Sequence, residues 1–507
     1  MSVTAASIAT LIESFILSAP SPAVLEEGEM LFDFADTRYS LSTENDRCLL
    51  HLWSNERNCV RRVTGAELKP SALRLTVQRF GKPQPTRMEI VRDRERRSPS
   101  TLKASRQQYA RTLERLLERN FLNWNIVGLT TAPDLEKSFG SAYARAMLRR
   151  GRSAWACLGV GASESQATID NALTIGLLWL DHLRERHAAD CAVEGLKLFL
   201  PARTSQVARM RSHHLNHGVA KFELWEVSER DFTVTQQDLS DIGNISTTLT
   251  RCPDVQRLRQ RHTQALARVR EFLPDFDIHA VNSSELALRY KGLEFASIRS
   301  ALSADSLQLQ DEIVFGVGPA NITLTEDTEP IFTELIRRIV KGRGDEFNTQ
   351  DPLWRARPER WLESLIVRDV RMLDERLRDD FVYAQVPAFS ASDRAVLDTL
   401  AVTRTGRLAV IEIKADDDLH LPLQGLDYWA RVKHHHERGE LQRYGYFPDL
   451  ALSPEPPLLL LVAPALHLHP ATDRVMRYLS PSIEWSVIGL DERWRSELRV
   501  IFRKRSG

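Results

Sequence analysis

The apolar and polar positions of this chain fall into two periods, and the period changes along its length. Residues 28 to 92 carry short alternating runs, EMLFDFA, CLLHLW, LRLTVQRF and RMEIV, separated by polar turns. Alternation at period two predicts half-buried strands, here a small antiparallel sheet or meander. The opening MSVTAASIATLIESFILSAPS reads as a helix. LKASRQQYARTLERLLERNF returns to helical spacing, with Tyr109, Leu113, Leu116 and Leu117 near one face. From residue 134 the pattern becomes α/β. A helix around Leu135 to Arg149 is expected, then the strand AWACLGVG (154–161) and the helix ATIDNALTIGLLWLDHLRER. The strand GLKLFLP, the helix SQVARMRSHHLNH and the strand AKFELWEV follow. This order predicts a sheet flanked by helices.

Beyond residue 230, DVQRLRQRHTQALARVREFL predicts one helix, ELALRYKGLEFASIR a hairpin, EIVFGVG a strand and EPIFTELIRRIVKGR a helix. GRGDEFNTQDPLWRARPE is rich in breakers and reads as a linker. The last part opens with ERWLESLIVRDVRMLDERL, an amphipathic helix whose Leu362, Leu365, Ile366, Val370 and Leu373 form one stripe. FVYAQVPAF comes next. After Gly406 the strand LAVIEIK, the helix PLQGLDYWARVKHHHERG, the strand LLLLVAPAL, the helix ATDRVMRYL and the strand IEWSVIGL repeat the earlier α/β order. Laid together, Gly159 and Gly161 fall where Glu412 and Lys414 stand. Two readings stay open: a duplicated core whose first copy lacks the charges, or the common order of any two βαβ runs.

The fold class expected is therefore mixed α/β (α+β) and multidomain. The divisions are an N-terminal helix and β-rich region at 1–100, an α/β domain at 101–230 that is a candidate degenerate copy, a mixed extension at 231–345, and a final domain at 346–507. A length of 507 residues agrees with several cores.

Charge and cysteine content narrow the partners. Lys plus Arg and Asp plus Glu both number 68, so no global field announces a polyanion, and a local basic groove remains open. The arginines from Arg92 to Arg119 are interleaved with acids. A solvated helix face explains them, with a phosphate-contacting surface as the sharper alternative. Cys48, Cys59, Cys157, Cys191 and Cys252 show no CxxC pairing and read as reduced thiols of a cytoplasmic protein. The N-terminus lacks a basic region and contains Glu13, which argues against a signal peptide. The longest apolar run, Leu458 to Leu466, is strand-sized and broken by Pro464, so no membrane partner is expected.

The chemistry concentrates in Asp398 to Tyr428, DTLAVTRTGRLAVIEIKADDDLHLPLQGLDY. Glu412 and Lys414 lie two apart on a strand and share a face. A hairpin turning around Thr405-Gly406 puts Asp398 directly or diagonally opposite Glu412. Burying such charges is costly unless they pair or bind a metal. A structural ion network is the plainer alternative.

Helix, three strands, helix, strand, with Asp398 on the second strand and Glu412-x-Lys414 on the third, resembles the PD-(D/E)xK nuclease superfamily. The resemblance covers roughly residues 359–489. Gln424 and Tyr428 resemble the Gln-xxx-Tyr pair of its RecB-like and Holliday-resolvase-like branches. One departure is Leu397, where the family has Pro before the Asp. The resemblance implies a restriction-endonuclease-like αβββαβ core. It implies that Asp398 and Glu412, with the Ile413 carbonyl, hold Mg²⁺ or Mn²⁺. Glu363 would support the metal through water, and Lys414 would orient the attacking water or stabilise the transition state. Gln424 and Tyr428 would position Lys414 or touch phosphate. A solvated helix acid (Glu363) and helix-face packing (Gln424, Tyr428) are the plainer readings.

The function implied is a divalent-metal-dependent deoxyribonuclease, an endonuclease for which nicking or single-strand cleavage suits a monomer. DNA is favoured over RNA, with a homodimer or partner protein left open, and prokaryotic defence or DNA processing is the context such domains suggest. The alternative is a catalytically inactive nucleic-acid-binding or assembly subunit. Other features carry less. Asp416 to Asp418 read as a solvated loop. His434 to His436 point around their helix, and His213 with His217 lacks a third ligand. GVGAS and GVGPAN lack a dinucleotide fingerprint.

Overall fold

A computed structural model describes residues 5–506 apart from 20–21, 27–28, 35–37, 44–47, 54–57, 70–71, 80–84, 93–98, 135–136, 243–246, 303–308, 318–321, 345–347 and 391–393. Two compact units emerge: Met1–Arg111 with Ser163–Ser165, and Thr112–Ala162 with Gln166–Gly507. The divisions expected near residues 230 and 345 fall inside the second unit.

Alternation builds the first unit. Seven strands between Ala23 and Val91 pair into one antiparallel sheet. Leu73, Leu75 and Val77 on one strand, and Leu50 and Leu52 on another, turn into a core closed by Ile8, Ile12 and Phe15 of the helix Ala5–Ser18. Along the basic helix Pro99–Asn120, Tyr109, Leu113, Leu116 and Leu117 are buried, as their spacing requires.

The second unit is built on a repeat. Strands Asn125–Thr130, Tyr143–Arg150 and Ser153–Val160 are antiparallel neighbours; Ala192–Pro201 and Lys221–Ser228 then add in parallel, and Thr233–Gln237 closes the edge antiparallel. Strands Tyr383–Ser390, Arg394–Val402, Leu408–Ile413, Leu458–Pro464, Trp485–Leu490 and Val500–Arg505 pair in the same order and the same directions. Helices fill the same crossovers: Ala172–Arg186 and Gln206–His213 in the first copy, Leu421–Glu437 and Thr472–Met476 in the second. Each copy follows a helix, Pro99–Asn120 or Pro358–Arg368. Leu408–Ile413 and Leu458–Pro464 are buried along their whole length, and apolar except for Glu412, because helices cover both faces of the parallel part of the sheet.

The same packing device recurs in both copies. A Cβ on Gly176 would meet Leu196 at 2.7 Å, and one on Gly425 would meet Leu461 at 2.5 Å. Each glycine lets its crossover helix lie close on the adjoining strand.

The crossover helices of the two copies pack against each other and share one core with both sheets. At the centre, Leu215 and Leu479 form an antiparallel bridge. Asn216 donates its N–H to the Tyr478 carbonyl (2.8 Å), and Ser480 donates to that of His214 (2.9 Å). This is the isologous pattern of a two-fold dimer, made within one chain. The buried Arg211 grips Asp427 through both oxygens (2.9 and 2.7 Å) and fastens one copy to the other.

Between the copies, five strands from Asp277 to Thr323 form a separate antiparallel sheet with its own core. Thr247–Leu249 instead joins the edge of the final sheet, beside Tyr383–Ser390.

Three expectations are corrected. Within the helix expected at Leu135 to Arg149, residues 135–136 lie outside the described residues and Tyr143–Arg150 is a strand paired on both sides. Its Ala, Met, Leu and Arg residues favour helices, but sheet neighbours on both edges override propensity. The single helix expected from 254 to 273 breaks at His262, whose buried ring bonds Asp311 at 2.7 Å. The amphipathic helix at 359–377 ends at Arg368, and a 3₁₀ turn at Val370–Met372 continues its stripe.

The sheet register corrects the alignment of the two copies. Gly195 lies opposite Lys221 and Pro201 opposite Val227; Leu458 lies one place before Leu459, which faces Trp485, and Pro464 faces Leu490. With the two prolines in register, Leu198 coincides with Leu461. Leu158, opposite Leu198, therefore takes the place of Glu412, opposite Leu461. Leu158 and Val160, not Gly159 and Gly161, stand where Glu412 and Lys414 do. Arg145, opposite Leu158, stands where Asp398 does.

Candidate functional site

A three-residue hairpin loop sets the register of the site. Thr403 N–H donates to Arg407 O (2.8 Å), Gly406 N–H to Thr403 O (3.0 Å), and Arg407 N–H to Thr403 Oγ1 (3.0 Å). Gly406 has φ +83°, and a Cβ there would lie 2.2 Å from the Ala451 carbonyl, so only glycine fits. Thr399 then faces Ile411, and continuing the ladder brings Asp398 opposite Glu412. The Ile413 N–H donates to Asp398 Oδ2 at 3.2 Å.

Asp398, Glu412 and Lys414 come together at this ladder end. Glu412 is 1% exposed and Lys414 Nζ lies 3.2 Å from its Oε1. Burial, with Asp398 beside it, pushes Glu412 well above the ordinary carboxylate range, while Lys414 pulls the other way. Burial also disfavours the Lys414 ammonium, but Glu412, Glu359 and Asp398 outweigh it and hold its pKa above the ordinary value.

The helix Pro358–Arg368 supplies the second wall. Glu363 is buried, and burial raises its pKa despite Arg360, which donates to Glu363 Oε2 at 2.9 Å. Arg360 also lies 3.8 Å from Asp398, and Glu359 lies 3.8 Å from Lys414. Gln385 donates to Glu363 Oε2 at 3.0 Å. Gln385 has φ +56° and interrupts the ladder opposite Asp398, a conformation that costs about 1–3 kcal/mol for a residue with a side chain.

From the helix Leu421–Glu437, Tyr428 reaches the same charges. Burial raises its pKa, and Glu412 and Asp398 add to the effect. Gln424 lies one turn earlier, with Oε1 buried and without a hydrogen-bond partner. No hydrogen bond joins Gln424 or Tyr428 to Lys414 among the described residues.

Glu412 Oε2 and Glu363 Oε1 are likewise buried without partners. Among the described residues no group of three His, Cys, Asp or Glu side chains forms a ready metal cage. A hard cation such as Mg²⁺ needs less, one or two carboxylates with water and phosphate completing its shell. Asp398 and Glu412, with one oxygen of Glu412 left over, are a donor set that fits it.

Glu359, Arg360 and Gln385 were not singled out from the sequence. The i,i+3 spacing of Arg360 and Glu363 is the one signal that pointed there, and it resembles any solvated helix pair. The weaker candidates resolve structurally. His435 bonds Glu440 (2.6 Å), His436 the Ser453 carbonyl (2.8 Å), and His217 the Ser212 carbonyl (3.1 Å). Asp418 accepts from the His420 N–H (2.8 Å) in its loop.

The first copy shows what the scaffold does without these charges. Its Arg145 is buried between Phe139 and Trp179, with ring centroids at 4.7 and 5.7 Å, and donates to the Ala132 carbonyl. Leu158 and Val160 belong to the shared core. No protein-family model matches this chain, and no curated protein is significantly similar to it in sequence.

Proposed function

We propose that the chain is a divalent-metal-dependent nuclease of PD-(D/E)xK type that hydrolyses phosphodiester bonds in DNA. The observation that carries this reading is the convergence of Asp398, Glu412 and Lys414 at a buried ladder end, with carboxylate oxygens left unpartnered. A fold that places Leu158 and Val160 at the equivalent positions does not need those charges, so chemistry explains them better than stability.

Asp398 and Glu412 would hold Mg²⁺ or Mn²⁺, with the Ile413 carbonyl as a further ligand and Glu363 supporting through water. Bound there, the metal supplies a water of lowered pKa and charge neutralisation at the scissile phosphate. Lys414, kept protonated by its carboxylate neighbours, orients the attacking water and stabilises the charge that builds on the phosphate oxygens. Arg360, already balanced between Glu363 and Asp398, can swing its guanidinium to a phosphate. Tyr428 and Gln424 border the same space and position the substrate backbone.

The test is incubation with single- and double-stranded DNA and RNA under Mg²⁺, Mn²⁺ and EDTA. Wild-type protein is expected to cleave DNA in either metal and not in EDTA. Lys414→Ala and Asp398→Ala, with unchanged circular dichroism and Tm, are expected to lose cleavage by more than 100-fold, on the scale of removing a principal electrostatic group. Cleavage that survives either change, or that EDTA leaves intact, would sink the proposal. Binding without any cleavage would instead support an inactive nucleic-acid-binding subunit.

A further inference from the structure

A cavity of about 1210 Å³ opens beside the candidate site. One wall is the helix Pro358–Arg368 with the strand Tyr383–Ser390; the other is the helix Val255–Arg261 with the hairpin Asp277–Tyr290. Arg360, Glu363 and Gln385 belong to both the cavity and the site, so the two are continuous.

The lining is unlike the chain as a whole. Across 507 residues positive and negative side chains balance, but seven arginines line this cavity against three carboxylates. Each of the three carboxylates already makes a hydrogen bond through one oxygen. Asp254 caps its helix at the Arg257 N–H (2.9 Å), Asp277 holds Arg368 (2.9 Å), and Glu363 holds Arg360 (2.9 Å). Arg251, Arg257, Arg259 and Arg261 take part in no ion pair among the described residues. Arg289 pairs with Glu294 at 3.4 Å. His279 is driven down to about 4 by burial, with Arg289 and Arg360 adding to the effect. The half-buried ring of Phe276 also faces the cavity.

Unmatched guanidiniums with an aromatic ring among them are the features that hold a phosphate backbone and stack unpaired bases. The volume exceeds the roughly 300–1,000 Å³ of ordinary small-molecule pockets, which favours a polymer segment over a free nucleotide. We infer that this cavity is a binding channel for single-stranded nucleic acid, which delivers the strand past Arg289 and Arg360 to Asp398, Glu412 and Lys414. The inference rests on the nuclease reading and adds to it the strandedness of the substrate and the segment 250–292 as the binding wall.

The test measures binding in EDTA, where cleavage plays no part. The full chain is titrated against fluorescent 12-nucleotide single-stranded DNA, the same sequence as RNA, and its DNA duplex. Wild-type protein is expected to prefer a single strand over the duplex by at least 10-fold, and the DNA and RNA arms identify the sugar. Arg257→Ala combined with Arg261→Ala is expected to lose at least 10-fold in single-strand affinity. Its salt dependence should become shallower by about 1.4 in log–log slope, the value for two lost phosphate contacts on a single strand. Both residues are exposed, so the fold should persist, and Arg338→Glu on the outer helix Glu329–Gly342 controls for general charge. The inference is overturned if the cavity variant binds like wild type, or if duplex binds as tightly as single strand. Because no metal is present, failure of metal-dependent cleavage would leave this result standing, and the reverse also holds.

Discussion

At the residue scale, Glu412 and Lys414 are expensive. Glu412 is 1% exposed, has an oxygen without a partner, and is pushed toward its neutral form by burial and Asp398. Replacing a buried ion pair with well-packed apolar side chains is often stabilising by about 1–4 kcal/mol. The first copy already makes that replacement, with Leu158 and Val160. The double variant Glu412→Leu, Lys414→Val is therefore expected to gain stability of that order in urea unfolding while losing the proposed cleavage entirely. A loss of more than about 1 kcal/mol would instead make the pair a structural ion network. These residues were legible in the sequence because charges inside an apolar strand stand out. Glu359, Arg360 and Gln385 were not. Two of them lie on a helix whose charged face looks solvated, and Gln385 acquires its place only through a left-handed backbone that no pattern announces.

At the element scale, glycine at the crossover of helix and strand is the shared device, and its two occurrences differ in what lies beneath. An alanine at Gly176 would press on Leu196 at 2.7 Å, inside a purely apolar layer. An alanine at Gly425 would press on Leu461 at 2.5 Å and also touch Glu412 Cβ at 3.6 Å. Overpacking costs typically about 1–3 kcal/mol, offset by about 1 kcal/mol of helix propensity. Gly176→Ala and Gly425→Ala should thus lose similar, modest stability, up to about 2 kcal/mol. Only Gly425→Ala should slow the proposed cleavage, because the Leu461 it displaces is the ladder partner of Glu412. Equal activity loss in both, measured at matched folded fraction, would contradict this. The order of elements in both copies was legible because continuous apolar strands and amphipathic helices carry strong periods. The strand Tyr143–Arg150 was not, since its residues favour helix and its pairing comes from neighbours distant in the chain. Setting Gly159 and Gly161 against Glu412 and Lys414 is off by one residue, because sheet register is not written locally.

At the scale of the molecule, the intrachain two-fold decides how many reactive centres one chain can present. A self-complementary surface that would join two identical cores is already occupied: the crossover helices of the first copy cover those of the second, bridged by Leu215 with Leu479 and clamped by Arg211 with Asp427. The partner core contributes Arg145, Leu158 and Val160 where the other contributes Asp398, Glu412 and Lys414, so it adds bulk and rigidity without a second set of carboxylates. On the proposed reading, one chain then holds one site and would break one strand per encounter. With supercoiled plasmid in Mg²⁺, a monomeric preparation should accumulate open circles first, and linear molecules should form only from circles already nicked. Arg211→Ala removes one partner of a buried pair and is expected to cost about 3–5 kcal/mol, loosening the two copies together, so stability and nicking should fall in parallel. The outcome that would overturn the single-site argument is linear product arising without an open-circle intermediate, from protein shown by light scattering to remain monomeric on DNA. It would require a second set of reactive groups, and the apolar positions of the first copy offer none.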